Sequence, residues 1–374
     1  MKIIIPLLAL CGLAVVLLYP ATTPSSPRGP AIEKESVIQQ EYIVLGFVPY
    51  WLKEKVTSQA IRSITHYAYF ALLLDEQGEI YTHANPREQE PGYTNYQRLL
   101  KDPPKKPLIL TFMPVGEEAL VSIVSSTTSR TRAVRTIRQV IAESRASGVN
   151  IDFEPLGNTS ASVRNNFTLF VKELSETLKP NNHTLDISVY ASAASRPRLW
   201  DLEALAPSTD HFVIMTYDYT LPSDGKTGPN SPLRGAGQLF EHDIVKNLAE
   251  ISKQVAPQKI LLGIPFYGYE WEVTSTDKYA LAEGRGAVAS LERVDELARG
   301  NTLELLWDRN SLTPYAVRRE EGEVVSQIYY ENESSVKLKL DLVKNAELGG
   351  IAIWALGYEG SNPGLWHTID SLQR

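Results

Sequence analysis

Eight runs of apolar or alternating residues, each of strand length, recur along this chain once residue 41 is passed, and they limit its fold more than any other feature. They span 42–48, 64–70, 108–113, 149–153, 185–190, 212–216, 260–265 and 350–354. Short continuous apolar runs suit strands covered on both faces, as in a parallel sheet. Apolar residues at helical spacing fill 131–147, 163–178 and 335–347 between them. Eight strands alternating with helices predict an α/β fold, a (β/α)8 TIM barrel, with functional residues at the C-terminal ends of its strands. The stretch between the seventh and eighth runs is too long for one helix. Residues 271–330 are expected to form a small α+β insertion over the rim, with strand pieces near 302–307 and 323–329.

The fourth run carries the chemistry. In Gly148-Val149-Asn150-Ile151-Asp152-Phe153-Glu154-Pro155, strand alternation sends Asn150, Asp152 and Glu154 to one face and Val149, Ile151 and Phe153 to the other. Bonding to loop amides at a strand end would explain such acids structurally, but buried charge is costly and two acids on one inner face call for a use. Other strand ends are aromatic: Tyr50-Trp51 on the first, Met215-Thr216-Tyr217-Asp218-Tyr219 on the sixth, Phe266-Tyr267-Gly268-Tyr269 on the seventh and Trp354 on the eighth. A single aromatic residue is more often core than platform. A ring of them around three acids is the chemistry of a sugar site, where aromatic faces stack on pyranose C–H surfaces and carboxyls move protons.

Composition removes several alternatives. The net charge of -7 gives no basic face for nucleic acid or an anionic membrane surface. The only cysteine, Cys11, lies in the apolar N-terminal run, so the body has neither disulfides nor a catalytic thiolate. The 6 histidines show no paired ligand spacing, so no metal and no cofactor are expected. His66 and His211, beside strands, read as structural. Gly225-Lys226-Thr227 lacks the earlier glycine of a phosphate loop, Thr220 standing in its place. Lys2 followed by an uncharged run over 3–19 predicts a signal peptide or membrane anchor within 1–21, and thus an exported protein of the extracellular space or cell envelope. A flexible Pro-, Ser- and Thr-rich linker is expected over 22–41, followed by a catalytic body over 42–374.

Taken together, these residues resemble glycoside hydrolase family 18, which includes chitinases, endo-N-acetylglucosaminidases and bacterial cortex-lytic glucosaminidases. The family's fourth strand reads D-x-D-x-E after D-G-x; here Ser147 to Glu154 reads S-G-V-N-I-D-F-E, matching the last two acids and not the first two. Met215-Thr216-Tyr217-Asp218 matches the sixth-strand M-x-Y-D motif. Gly46 to Trp51 and the Trp354 that ends G-G-I-A-I-W are similar to the first and eighth strands. The N-x-D-F-E form is similar to the spore-cortex and cell-wall glucosaminidase branch.

The resemblance implies hydrolysis of β-1,4-linked N-acetylglucosamine glycans of chitin or peptidoglycan type, with retention, through attack by the substrate's own 2-acetamido oxygen. Glu154 would be the general acid and then base. Asp152 would accept the acetamido N–H, Tyr217 would steer its carbonyl, and Asp218 would support either that group or Glu154. Trp354 would floor the subsite of the scissile sugar, Tyr267 and Trp51 would contact substrate, and Tyr50, Met215 and Asn150 would pack beneath. With an uncharged amide at Asn150, Asp152 is expected to remain a fixed anion. The alternative is a catalytically weak or silent chitinase-like protein that only binds glycans; retention of Glu154 speaks against it.

Overall fold

The computed structural model describes residues 41–374. Eight parallel strands close into a barrel: Ile43–Pro49, His66–Leu74, Leu108–Pro114, Gly148–Ile151, Thr184–Tyr190, His211–Met215, Ile260–Pro265 and Gly350–Trp354. Each pairs with its neighbours in the chain order of the barrel, and the eighth pairs with the first to complete the ring. This is the (β/α)8 fold that the eight runs predict. The targeting or anchoring segment expected within 1–21, and all but the last residue of the linker expected over 22–41, lie outside the described residues. Among the described residues no helix is long and apolar enough to cross a membrane.

Strand alternation divides the core into two layers. Leu45, Phe47, Ala68, Ile109, Val213, Leu261 and Ala352 fill the barrel interior. Their neighbours, among them Val44, Val48, Val149, Ile151, Ile187 and Ile214, face outward under the helices. Helices Thr127–Ser144, Ala161–Leu178 and Glu333–Asn345 close this outer layer, each shifted two to four residues toward the N-terminus of its expected range at the start. Ser126, Ser160 and Asn332 cap them, with each side chain accepting a backbone N–H, which explains where they begin. Each buried large apolar side chain contributes about 1.5–3 kcal/mol, so these two layers carry most of the fold's stability.

Between the seventh and eighth barrel strands lies a second, five-stranded antiparallel sheet. It is built from Tyr267–Glu272, Ala287–Ser290, Leu303–Asp308, Thr313–Glu320 and Glu323–Tyr329, with helix Leu291–Arg299 beside it. The first of these strands starts ahead of residue 271, because Tyr267 turns away from the barrel directly after Pro265 and pairs with the insertion. The insertion has its own core of Tyr267, Tyr269, Trp271, Tyr315, Val317 and Tyr329, against which Tyr217 and Trp354 of the barrel also pack. The sheet therefore stands at the barrel's C-terminal rim. His211 and His66 have ordinary partners, Asp186 at 2.8 Å and Thr65 at 2.9 Å.

Candidate active site

The fourth strand ends at Ile151, and Asp152 to Pro155 follow it in irregular backbone. The strand-like alternation nevertheless persists. Asp152 N–H donates to Phe112 O at 3.0 Å, extending the ladder by one residue. Phe153 is fully buried outside the barrel, stacked on Phe170 at 5.4 Å and tilted on Phe167 at 6.0 Å. With that ring held under helix Ala161–Leu178, Asp152 and Glu154 must point inward. Leu156 N–H donates to Glu117 Oε2 at 3.1 Å, which holds the exit of the turn.

Both acids open into a cleft of about 840 Å³ at the C-terminal rim. Met215, Tyr217, Asp218, Tyr267 and Trp354 line it too, as do Phe47 and Phe70. Trp354 stands edge-on to Phe70 at 4.5 Å and to Phe47 at 5.8 Å, an aromatic base contributed by the eighth, second and first strands. Three residues named from the sequence are not among those lining the cleft. Asn150 is completely buried below it. Tyr50 and Trp51 are carried outward by the turn after Pro49; Trp51 is 52% exposed and meets the cleft only through Phe70, at 6.1 Å.

The parallel register explains what surrounds the acids. Asn150 is opposite Asp186 and Ile151 opposite Ile187, so continuing the register sets Ser188 beside Asp152 and Tyr190 beside Glu154. Ser188 accepts from Asn150 Nδ2 at 3.0 Å and its Oγ also reaches Asn150 Oδ1 at 3.2 Å, so its one proton has two acceptors, that amide oxygen and the Asp152 carboxylate. Asp152 is 4% exposed and its Oδ1 has no hydrogen-bond partner among the described residues. Burial and then the neighbouring Glu154 push its carboxyl well above the usual range, and Ser188 offsets only part of this. The expectation of a fixed anion at Asp152 is thus corrected: removing a charge at residue 150 does not remove the cost of burial or the charge of Glu154. Burial also raises Glu154, with Asp218 adding to the rise and a hydrogen bond with Tyr190 opposing it. Two such carboxyls titrate as a pair, one holding a proton while the other is charged.

Tyr217 and Asp218 are set by the sixth strand's exit. A Cβ at Gly263 would come within 2.4 Å of Ile214 O and 3.1 Å of the Tyr217 ring, so glycine there gives the tyrosine its place. Burial and the three acids make the Tyr217 phenol a reluctant acid, hence a hydrogen-bond donor at neutral pH. Asp218 has a left-handed backbone at φ 60, a conformation aspartate tolerates better than most residues. Its N–H donates to Asn230 Oδ1 at 2.8 Å, and its Oδ1 accepts from Tyr267 and Tyr269 hydroxyls, both at 2.6 Å. The insertion's first strand thus grips the third acid.

Sequence reasoning missed Ser188, Tyr190, Arg196 and Arg198. Tyr190 ends the fifth barrel strand, the same rim position that singled out the other aromatics, and that signal was available. The arginines follow in a loop with no motif. Arg198 lies 4.9 Å from the Tyr190 ring centroid, and Arg196 pairs with Glu241 of the loop after the sixth strand. Among the described residues no group of histidines, cysteines or acids could hold a metal ion.

Comparison with known proteins agrees with this fold. The chain is 24% identical over 260 residues to the putative sporulation-specific glycosylase YdhD of Bacillus subtilis, covering 69% of this chain and 58% of that one. It is 25% identical over 241 residues to the cortical fragment-lytic enzyme of Bacillus anthracis, covering 63% and 52%. The chain therefore spans about half the length of these curated relatives. In fold it is similar to the class V chitinase from Nicotiana tobaccum, with a TM-score of 0.75 at 18% identity over 89% of this chain and 99% of that one. Residues 43–359 match the family model for glycosyl hydrolases family 18, which takes in the whole barrel, the insertion and both acid-bearing motifs, and the chain belongs to that family.

Proposed function

We propose that this protein hydrolyses β-1,4-linked N-acetylglucosamine-containing glycans, with retention, by substrate-assisted catalysis. The observation that carries the reading is the pair of inward carboxyls, Asp152 and Glu154, both shifted toward the protonated form at the base of an aromatic cleft. Glu154, its proton held by burial, protonates the leaving glycosidic oxygen and later takes a proton from water. Asp152 Oδ1, an acceptor with no protein partner among the described residues, takes the acetamido N–H and stabilises the cationic oxazolinium as it forms. Tyr217 donates to the acetamido carbonyl and turns its oxygen toward the anomeric carbon, while Asp218, clamped by two tyrosines, supplies negative charge beside it. Trp354, on its Phe47 and Phe70 base, stacks under the scissile sugar. Similarity to a di-N-acetylchitobiase of Homo sapiens, 23% identical over 239 residues, supports an acetylated amino-sugar substrate, and similarity to the cortical fragment-lytic enzyme supports a lytic activity.

The N-terminal run expected to be a signal peptide or anchor supports export to the cell envelope, where such polymers are found. The test is mass spectrometry of products after incubating the protein with chitin oligomers and with purified peptidoglycan in isotopically labelled water. Fragments whose new reducing end carries the label are expected from at least one polymer, and proton NMR of the fresh products should show the retained β anomer first. Intact polymers in both arms would overturn the reading.

A further inference from the structure

The cleft has a charge asymmetry that a neutral glycan does not need. Asp152, Glu154 and Asp218 follow the fourth and sixth strands, Asp224, Lys226 and Glu241 lie in the loop beyond the sixth, and Arg196 and Arg198 stand on the wall beyond the fifth. Arg196 is paired with Glu241. Arg198 has no carboxylate partner among the described residues; its guanidinium rests against the Tyr190 ring, and Tyr190 is hydrogen-bonded to Glu154. Arg198 is also held rigidly. Its backbone is left-handed at φ 42, its carbonyl accepts from Thr159 Oγ1 at 2.6 Å and Arg164 Nε at 3.0 Å, and the next residues, Leu199 and Trp200, are fully buried. Trp200 packs edge-on to Tyr190 at 4.9 Å. A strained, anchored backbone presenting an unpaired guanidinium into a cleft is a built feature, and a planar cation of this kind suits a carboxylate.

The position relative to the reacting centre identifies the sugar concerned. Trp354, Phe47 and Phe70 stand on the eighth, first and second strands, across the barrel from the fourth and fifth. With the scissile sugar on Trp354 and the leaving oxygen at Glu154, the side chains next beyond Glu154 face the leaving-group sugar. We infer that Arg198 is a specificity-determining residue that binds a carboxylate carried on the leaving-group sugar, as in a glycan whose N-acetylglucosamine alternates with a sugar bearing an ether-linked lactyl group. This inference rests on the hydrolase reading for its placement of the scissile bond. The carboxylate belongs either to the lactyl group itself or to a peptide attached to it.

The test is direct binding to the full chain carrying Glu154→Gln, measured by calorimetry so that no turnover is needed. The probes are a tetrasaccharide of alternating N-acetylglucosamine and N-acetylmuramic acid with free lactyl carboxylates, its methyl ester, and the same tetrasaccharide bearing stem peptides. At least one carboxylate form should bind tenfold or more tighter than the ester, and further substitution of Arg198→Met should close that gap to about twofold, while Arg198→Lys keeps part of it. A gap with the lactyl acid points to the lactyl source and a gap with the peptide form alone to the peptide. Equal binding of all three by the parent, or a gap that survives Arg198→Met, overturns the inference. The parent's preference needs no Arg198 variant to fold. Cleavage of chitin oligomers without any carboxylate gap would sink this inference alone, and a gap without hydrolysis would sink the hydrolase reading alone.

Discussion

Asn150 donates to Ser188 Oγ at 3.0 Å, although the two side chains come from different strands and lie 38 residues apart in sequence. Ser188 Oγ in turn reaches Asn150 Oδ1 at 3.2 Å, so the serine's single proton is divided between that amide oxygen and the Asp152 carboxylate. A hydroxyl thus stands between the amide of residue 150 and the acid of residue 152.

Removing that hydroxyl should change Asp152's titration. The Ser188 hydrogen bond stabilises the Asp152 carboxylate, so Ser188→Ala should raise its pKa further. Asp152 acts on the oxazolinium as an anion, so the acid limb of the kcat/KM profile should move to higher pH. Profiles of both proteins on one oligosaccharide decide it; unchanged acid limbs would show that Ser188 is uncoupled from the pair.

Tyr190→Phe should act on the opposite limb. The Tyr190 hydrogen bond lowers the Glu154 pKa, so its loss raises it, and the proton donor survives to higher pH. The alkaline limb of kcat/KM should therefore move upward, with a lower plateau because the carboxyl loses its orienting partner. A downward move would reverse the assigned role.

Glu154→Gln deletes the proton itself. General acid catalysis contributes typically 10² to 10⁴-fold, so turnover on an unactivated oligosaccharide should fall by about that factor with Tm nearly unchanged. Retention of more than about a tenth of turnover would remove Glu154 from the mechanism.

The barrel was legible because parallel strands buried on both faces must be apolar throughout, and eight such runs stand out from any other pattern. Its fourth strand is shorter than expected. The ladder stops at the Asp152 N–H, and Glu154 keeps the alternation of a strand beyond it because Phe153 under Phe167 and Phe170 sets the direction of both acids. Tyr50 and Trp51 misled for a related reason: an aromatic residue at a strand end can point to either side of the rim, and the turn after Pro49 decides. Arg198 and Ser188 were invisible because their meaning depends on partners far away in sequence. The direction of Asp152's titration was misjudged because desolvation, unlike a charged neighbour, leaves no mark in the sequence.

A last prediction concerns stability and lies outside the cleft. Glu359, in the loop after the eighth barrel strand, is fully buried; its Oε2 accepts from Gly357 N–H at 2.6 Å, and its Oε1 has no hydrogen-bond partner among the described residues. Burial pushes its carboxyl up to about 7 from an ordinary 4.5, backbone hydrogen bonds pulling it partly back and Glu292 adding to the rise. The folded state therefore holds this proton more tightly than the unfolded state. Glu359's contribution is fully present below about pH 4.5 and is lost as the pH rises from there through about 7. At about 1.4 kcal/mol per unit, the loss is at most on the order of 3 kcal/mol. Glu359→Gln keeps an acceptor for Gly357 N–H and never ionises, so its Tm should match the parent near pH 4.5 and exceed it by a few degrees at pH 8. Calorimetric scans of both proteins across that range give the difference directly, since all other titrations cancel. A Tm difference that stays constant with pH would mean that Glu359 has the same pKa in the folded and unfolded states, and that its burial holds no proton.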